Sequence, residues 1–177
     1  LVNIVRNDEQ TKILRDIGAK HIVDSSKPSF MEDLIAVLTS TGATLAFDAI
    51  GGGKLAGQIL AAMEASLSSK AGAYSRYGSS THKQVYIYGR LSMEPTILTA
   101  AYGMAWGVGG FLIMPYLQKI GPAEAEKLRN RVVAELKTTF ASHYTNTISL
   151  REALDLETLK DYNRKATGTK YLINPSL

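Results

Sequence analysis

Cysteine is absent from the 177 residues. That excludes disulfides, a thiol nucleophile and thiolate zinc ligands within this segment. Histidine is scarce. His21, His82 and His143 are scattered with no carboxylate at metal-ligand spacing, so no zinc site is read. A Gly-x-Ser-x-Gly elbow and a Walker loop are both lacking, which removes the hydrolase and kinase readings. Charge of one sign is not concentrated anywhere. The net charge is only +4 and the basic residues share their helices with acids, so nucleic acid is not an expected partner. No Pro/Gly-rich linker divides the chain, and one domain is the default. Long apolar runs are also missing. Residues 100–117 come nearest, but Gly103, Gly107, Gly109 and Gly110 interrupt them beside Trp106 and Tyr116, which fits a buried or subunit-facing segment better than a membrane span. No charged leader with a cleavage site is read, and a soluble cytoplasmic protein is expected.

What the chain does contain is a regular alternation of β and α signals, the mark of a parallel sheet with covering helices. Leu1-Val2-Asn3-Ile4-Val5-Arg6 reads as the second strand of a dinucleotide-binding unit whose first strand and glycine turn precede it. A helix is predicted over 8–17, with Ile13, Leu14 and Ile17 on one face, Asp8 and Glu9 in its first turn and Gly18 as its stop. A short strand at 21–23 follows. Ser29-Phe30-Met31-Glu32 has the pattern of a capping box opening a helix that ends at Gly42. Strands are predicted at 44–50 and 84–88, with a helix from Leu55 through Met63 between them. A long helix is predicted over 122–140 from the proline at its first position, and a last strand at 170–173 after the Thr167-Gly168 turn. The fold class is α/β, a doubly wound, mostly parallel sheet that is incomplete at its N-terminus.

Arg6 carries the clearest chemistry. A site for NAD places an acid at the end of the second strand to hold the ribose hydroxyls, whereas a site for NADP supplies a cation for the 2′-phosphate. Arg6 can grip a phosphate in a forked geometry and Asn7 can donate a further hydrogen bond, which favours NADP(H). The alternative is a solvated Arg6 with Asp8 and Glu9 on the ribose. Gly51 and Gly52 follow an apolar strand and Gly89 ends the next one. Their missing side chains would let backbone approach the nicotinamide half of a cofactor, or would simply make turns. Asp48 is expected to satisfy neighbouring backbone N–H groups. Asp24 and Ser25 are candidates to approach the adenine, or a plain turn. Residues 66–83 combine hydroxyls, aromatics and cations, among them Lys70, Tyr74, Arg76 and Tyr77. This is a composition for a substrate lid or anion loop, against a solvated insertion or a subunit contact. Trp106, Phe111, Met114 and Tyr116 are candidates for a quinone pocket, or for core and interface.

The succession Ile17-Gly18-Ala19-Lys20-His21-Ile22-Val23-Asp24, Ala46-Phe47-Asp48-Ala49-Ile50-Gly51-Gly52, Tyr86-Ile87-Tyr88-Gly89 and Lys165-Ala166-Thr167-Gly168-Thr169-Lys170-Tyr171-Leu172-Ile173 resembles the medium-chain dehydrogenase/reductase superfamily, most of all its zinc-independent NADPH:quinone oxidoreductase branch. The resemblance covers most of the cofactor domain and none of the preceding domain that can hold a catalytic zinc. It implies an NADPH-dependent oxidoreductase that passes hydride to a quinone or an α,β-unsaturated carbonyl, and a homodimer paired through an edge strand. It also implies that the tail from about 166 returns toward the preceding domain, and that Arg6, Asn7, Gln10, Asp24, Ile50, Gly51, Gly52, Gly89 and Leu91 hold the cofactor. Gln10 stands where the family often has lysine, and residues 66–83 are longer than its usual connection. The resemblance identifies no catalytic residue. Alternatives are a zinc-dependent alcohol dehydrogenase with its ligands in a preceding domain, a non-catalytic NADP- or RNA-binding module, and a methyltransferase.

Overall fold

The computed structural model describes residues 1–69, 71, 75–164 and 169–177 and divides into two compact units, residues 1–112 and 113–177. Lys70, Tyr74 and the expected turn at Thr167-Gly168 lie outside the described residues.

The first unit alternates as the sequence predicts: β1 (Val2–Val5), α1 (Asp8–Asp16), β2 (His21–Asp24), α2 (Phe30–Thr41), β3 (Leu45–Asp48), α3 (Leu55–Ser68), β4 (Lys83–Ile87) and β5 (Trp106–Gly110). Every pairing is parallel, β1 with β2 and β3-β4-β5 in that order. α2 buries Phe30, Leu34 and Leu38, four residues apart, and α3 buries Ala56, Ile59, Leu60 and Met63; these stripes and Val85 make the core. β1 and β3 do not pair. Both line an apolar slot of about 520 Å³ floored by Leu34, Leu38, Ile59 and Met63.

Helix ends follow local chemistry. Asn7 caps α1 by accepting from the Gln10 amide (2.9 Å), and the Gln10 side chain accepts from the Arg6 amide (2.8 Å), a reciprocal pair. Gly18 and Gly42 have the positive φ of helix stops. The capping box expected at Ser29 does not form. Ser29 has helical backbone (ψ 1°), and its hydroxyl donates to the Asp33 carboxylate at 2.8 Å instead of accepting from an amide.

The second unit holds α4 (Ile113–Ala134), β6 (Asn146–Ile148), α5 (Leu150–Ala153), α6 (Leu156–Tyr162) and β7 (Tyr171–Ile173), with β6 parallel to β7. α4 breaks at Gly121 (φ 81°), so a helix does begin at Pro122, but it stops at Ala134, short of the predicted 140. Residues 135–140 are turns, and the β-branched pair Thr138-Thr139 favours leaving the helix. A capping box forms at Ser149 and Glu152. The Tyr171 hydroxyl donates to Asp161 at 2.5 Å, fixing β7 to α6.

Candidate functional site

A parallel sheet presents all its strand ends on one side, and α/β folds bind ligands at that carboxyl edge. In the first unit the residues singled out in the sequence emerge at the ends of β1, β2, β3 and β4.

After β1, the Arg6 guanidinium is exposed and has no partner among the described residues. Asn7 and Gln10 use their carbonyl oxygens on the α1 cap, which sets the orientation of each amide. After β2, Asp24 is buried and its carboxylate accepts from the Ser26 amide (2.9 Å) and hydroxyl (2.7 Å), while Ser25 donates to the Val5 carbonyl (2.8 Å). The Ser26 amide and then its hydroxyl hold the Asp24 pKa below the usual carboxylate range. Asp24 and Ser25 thus fasten the turn itself. Lys27, not anticipated from the sequence, lies 3.6 Å from Asp8 and 4.0 Å from Asp24 and joins the ends of β1 and β2.

After β3, Asp48 does what was expected of it and accepts from the Ile50 (2.7 Å) and Gly51 (3.3 Å) amides. The glycines answer first to one another. Gly51 has φ 72°, and a Cβ there would stand 2.5 Å from the Gly89 carbonyl oxygen; one on Gly89 would stand 2.5 Å from that of Ala49. The amides of Leu91 and Ser92 donate to the carbonyls of Ala49 (3.3 Å) and Ile50 (3.0 Å). The turns after β3 and β4 are therefore stitched into one seam that carries Ile50, Gly51, Gly52, Gly89 and Leu91.

The described part of 66–83 turns the other way. Glu64, near the end of α3, accepts from Lys83 Nζ (2.6 Å), the Ser79 hydroxyl (2.7 Å) and amide (2.8 Å), and the Ser68 hydroxyl (2.7 Å). Lys83 is wholly buried at the start of β4, and Gly78 and Gly103 wall the carboxylate where a Cβ would collide with it. Burial raises the Glu64 pKa, but hydrogen bonds from Lys83, then Ser79 and Ser68, outweigh it and hold the group at about 2. Tyr77 and Arg76 border the same place with Tyr102 and Trp106. This is the amino edge of β4 and β5, so the lid expectation for Arg76 and Tyr77 is corrected: they sit at the edge opposite the seam. The four candidates for a quinone pocket, or for core and interface, are placed as follows. Trp106 opens β5 against Tyr102, Phe111 follows its other end against Phe47 and Tyr86, and Met114 and Tyr116 belong to the second unit. The sequence signal for this buried ion pair was Glu64, the one charged residue of α3.

No helix among the described residues is long and apolar enough to cross a membrane, and no group of three or more metal-binding side chains occurs among them.

No family model and no curated protein sequence matches the chain. Solved structures do. A protein assigned as an NADPH:quinone reductase from Mesorhizobium loti superposes with a TM-score of 0.67 at 23% identity, over 98% of this chain and 45% of its own. A second reductase of that assignment, from Bacillus thuringiensis, gives 0.63 at 17%, over 98% and 47%. The mitochondrial 2-enoyl thioester reductase of Candida tropicalis gives 0.59 at 16%, over 98% and 46%. The chain shares the fold of these reductases. It spans about half their length, and its α/β architecture matches their cofactor-binding domain.

Proposed function

We propose that the chain is the cofactor-binding part of an NADPH-dependent oxidoreductase that delivers hydride to an electrophilic carbon of a quinone or an α,β-unsaturated carbonyl. The observation that carries this is the unpartnered Arg6 guanidinium at the carboxyl end of β1, beside the N-terminus of α1. A 2′-phosphate placed there meets a forked cation, and Lys27, 3.6 Å from Asp8, offsets that acid in the first turn of α1. Matched structures support the cofactor, since a mycobacterial one holds NADPH and the Candida tropicalis enzyme holds NADP with crotonyl-CoA.

The residues fit the dinucleotide. Arg6 and the Asn7 amide would hold the 2′-phosphate, Asp24 and Ser25 keep the neighbouring turn rigid, and Ile50, Gly51, Gly52, Gly89 and Leu91 form a backbone wall for the reacting half. When bound, NADPH supplies the hydride. The chain's part is to bind and orient, because a fixed approach of the reacting atoms replaces translational entropy that a free encounter would lose. β5 ends the strand order β3-β4-β5, its outer edge is where a second copy would pair, and a soluble, cytoplasmic homodimer is the form this reading assigns.

The test is thermal stabilisation of the intact protein by NADPH and by NADH, repeated with Arg6→Ala. NADPH is expected to stabilise more than NADH, and the substitution is expected to weaken NADPH about tenfold, or ~1.4 kcal/mol, with NADH unaffected. No stabilisation by either nucleotide would overturn the proposal.

A further inference from the structure

We infer that Arg90 makes the site selective for acceptors that carry an anionic group, a carboxylate or phosphate, beside the reducible bond. The inference rests on the reductase reading and names the acceptor class within it.

Arg90 follows Gly89 in the turn after β4, inside the seam. Its backbone is held on both sides. The Tyr88 amide donates to Asp48 (3.0 Å), the Leu91 amide to Ala49 (3.3 Å) and the Ser92 amide to Ile50 (3.0 Å). The Arg90 Cα lies 3.5 Å from the position a Gly51 Cβ would take, so the two turns touch at this residue. Its side chain is exposed, with no ion pair or hydrogen bond among the described residues. A cation on a fixed backbone with an uncommitted guanidinium is available to an anion, and its fork suits a carboxylate or a phosphate.

Arg6 already answers the charge of the cofactor, across the slot at the end of β1. Arg90 belongs to the seam that the reductase reading sets beside the hydride-donating ring, which puts its cation on the side of the sheet where the acceptor would enter. The charges nearby on neighbouring turns are Lys54, exposed at the start of α3, and Glu94, whose carboxylate oxygen lies 3.4 Å from the Cβ position of Gly53. Among the described residues Glu94 makes no ion pair with Arg90 and leaves the guanidinium uncompensated. A neutral quinone gains nothing from this cation. An enone that carries a carboxylate does.

A matched pair of acceptors isolates the charge: 4-oxo-2-pentenoate and its methyl ester. In the intact protein, Arg90→Gln is expected to raise KM about tenfold for the acid. kcat should stay within twofold, the ester's KM and the KM for NADPH should not change, and Arg90→Lys should recover part of the loss. Independently of turnover, NADP⁺-saturated protein should be stabilised more by the acid than by the ester, and Arg90→Gln should erase the difference. Equal effects on acid and ester, a rise in KM for NADPH, or no anion preference in either assay would overturn the inference with the reductase reading intact. Failure of NADPH to stabilise the unsubstituted protein would overturn both.

Discussion

Replacing Lys83 by alanine is expected to lower the stability of the protein by about 3–5 kcal/mol, the cost of leaving a buried carboxylate without its cation. The carboxylate is Glu64, which has only 7% of its surface exposed, while Lys83 has none. The backbone of Gly78 and Gly103 walls the carboxylate on two sides and limits the water that can replace the ammonium. pH dependence separates this from a simple packing defect. In the native protein Glu64 has a pKa of about 2 against an ordinary 4.5, so its network contributes stability in full above about pH 4.5 and loses it as pH falls toward 2. The shift corresponds to about 3 kcal/mol. Without Lys83 the largest lowering cause is gone and the Glu64 pKa rises from its native value, so that protonation relieves the variant at a higher pH. The stability gap between the two proteins, measured by urea unfolding, should narrow as the pH is lowered through 4. A gap independent of pH would show that the ion pair is not its source.

Gly51→Ala is expected to cost about 2–4 kcal/mol and to weaken NADPH binding at least tenfold. Two terms add. A φ of 72° costs an L-residue about 1–2 kcal/mol, and the new methyl lands 2.5 Å from the Gly89 carbonyl and 3.2 Å from Ile87, so the turn after β4 must move. Gly42→Ala is the control. Its φ is 66° but nothing lies within 4 Å, so only the backbone term applies and the cofactor should be unaffected. Equal losses in both proteins, with NADPH affinity retained, would mean that the seam is not part of the nucleotide site.

The alternation of strands and helices was legible because each element announces itself locally, through the stripe of Phe30, Leu34 and Leu38 or the glycine after α2. Two identical patterns show where local reading stops. Ser29-Phe30-Met31-Glu32 and Ser149-Leu150-Arg151-Glu152 both spell a capping box, and only the second forms one. At Ser149 the backbone is extended (ψ 167°) and the hydroxyl faces the helix amides; at Ser29 the turn out of Lys27 has already set a helical ψ, and Asp33 takes the hydroxyl. Arg6, Asp48 and the glycines could be singled out because a strand end dictates which side of the sheet they reach. Lys83, Lys27 and the seam could not be read that way. Each depends on a partner 15 or more residues distant, Glu64 for Lys83, Asp8 for Lys27 and Ala49 for Gly89 being cases in point. Sequence pattern carries no information on which of the many exposed-looking charges will meet.

The slot between β1 and β3 inverts the usual protection profile of a sheet. The Val5 carbonyl accepts from Ser25 on the β2 side, and those of Thr44 and Asp48 accept from Gln84 and Tyr88 on the β4 side. Alternation along each strand then turns the backbone groups of Val2 and Ile4, and of Leu45 and Phe47, toward the slot, where no strand meets them. In the 177 residues alone, those amides would trade their hydrogens for deuterium faster than the amides of Asn3, Val5, Ala46 and Asp48 beside them, although all of these lie at the middle of the first unit.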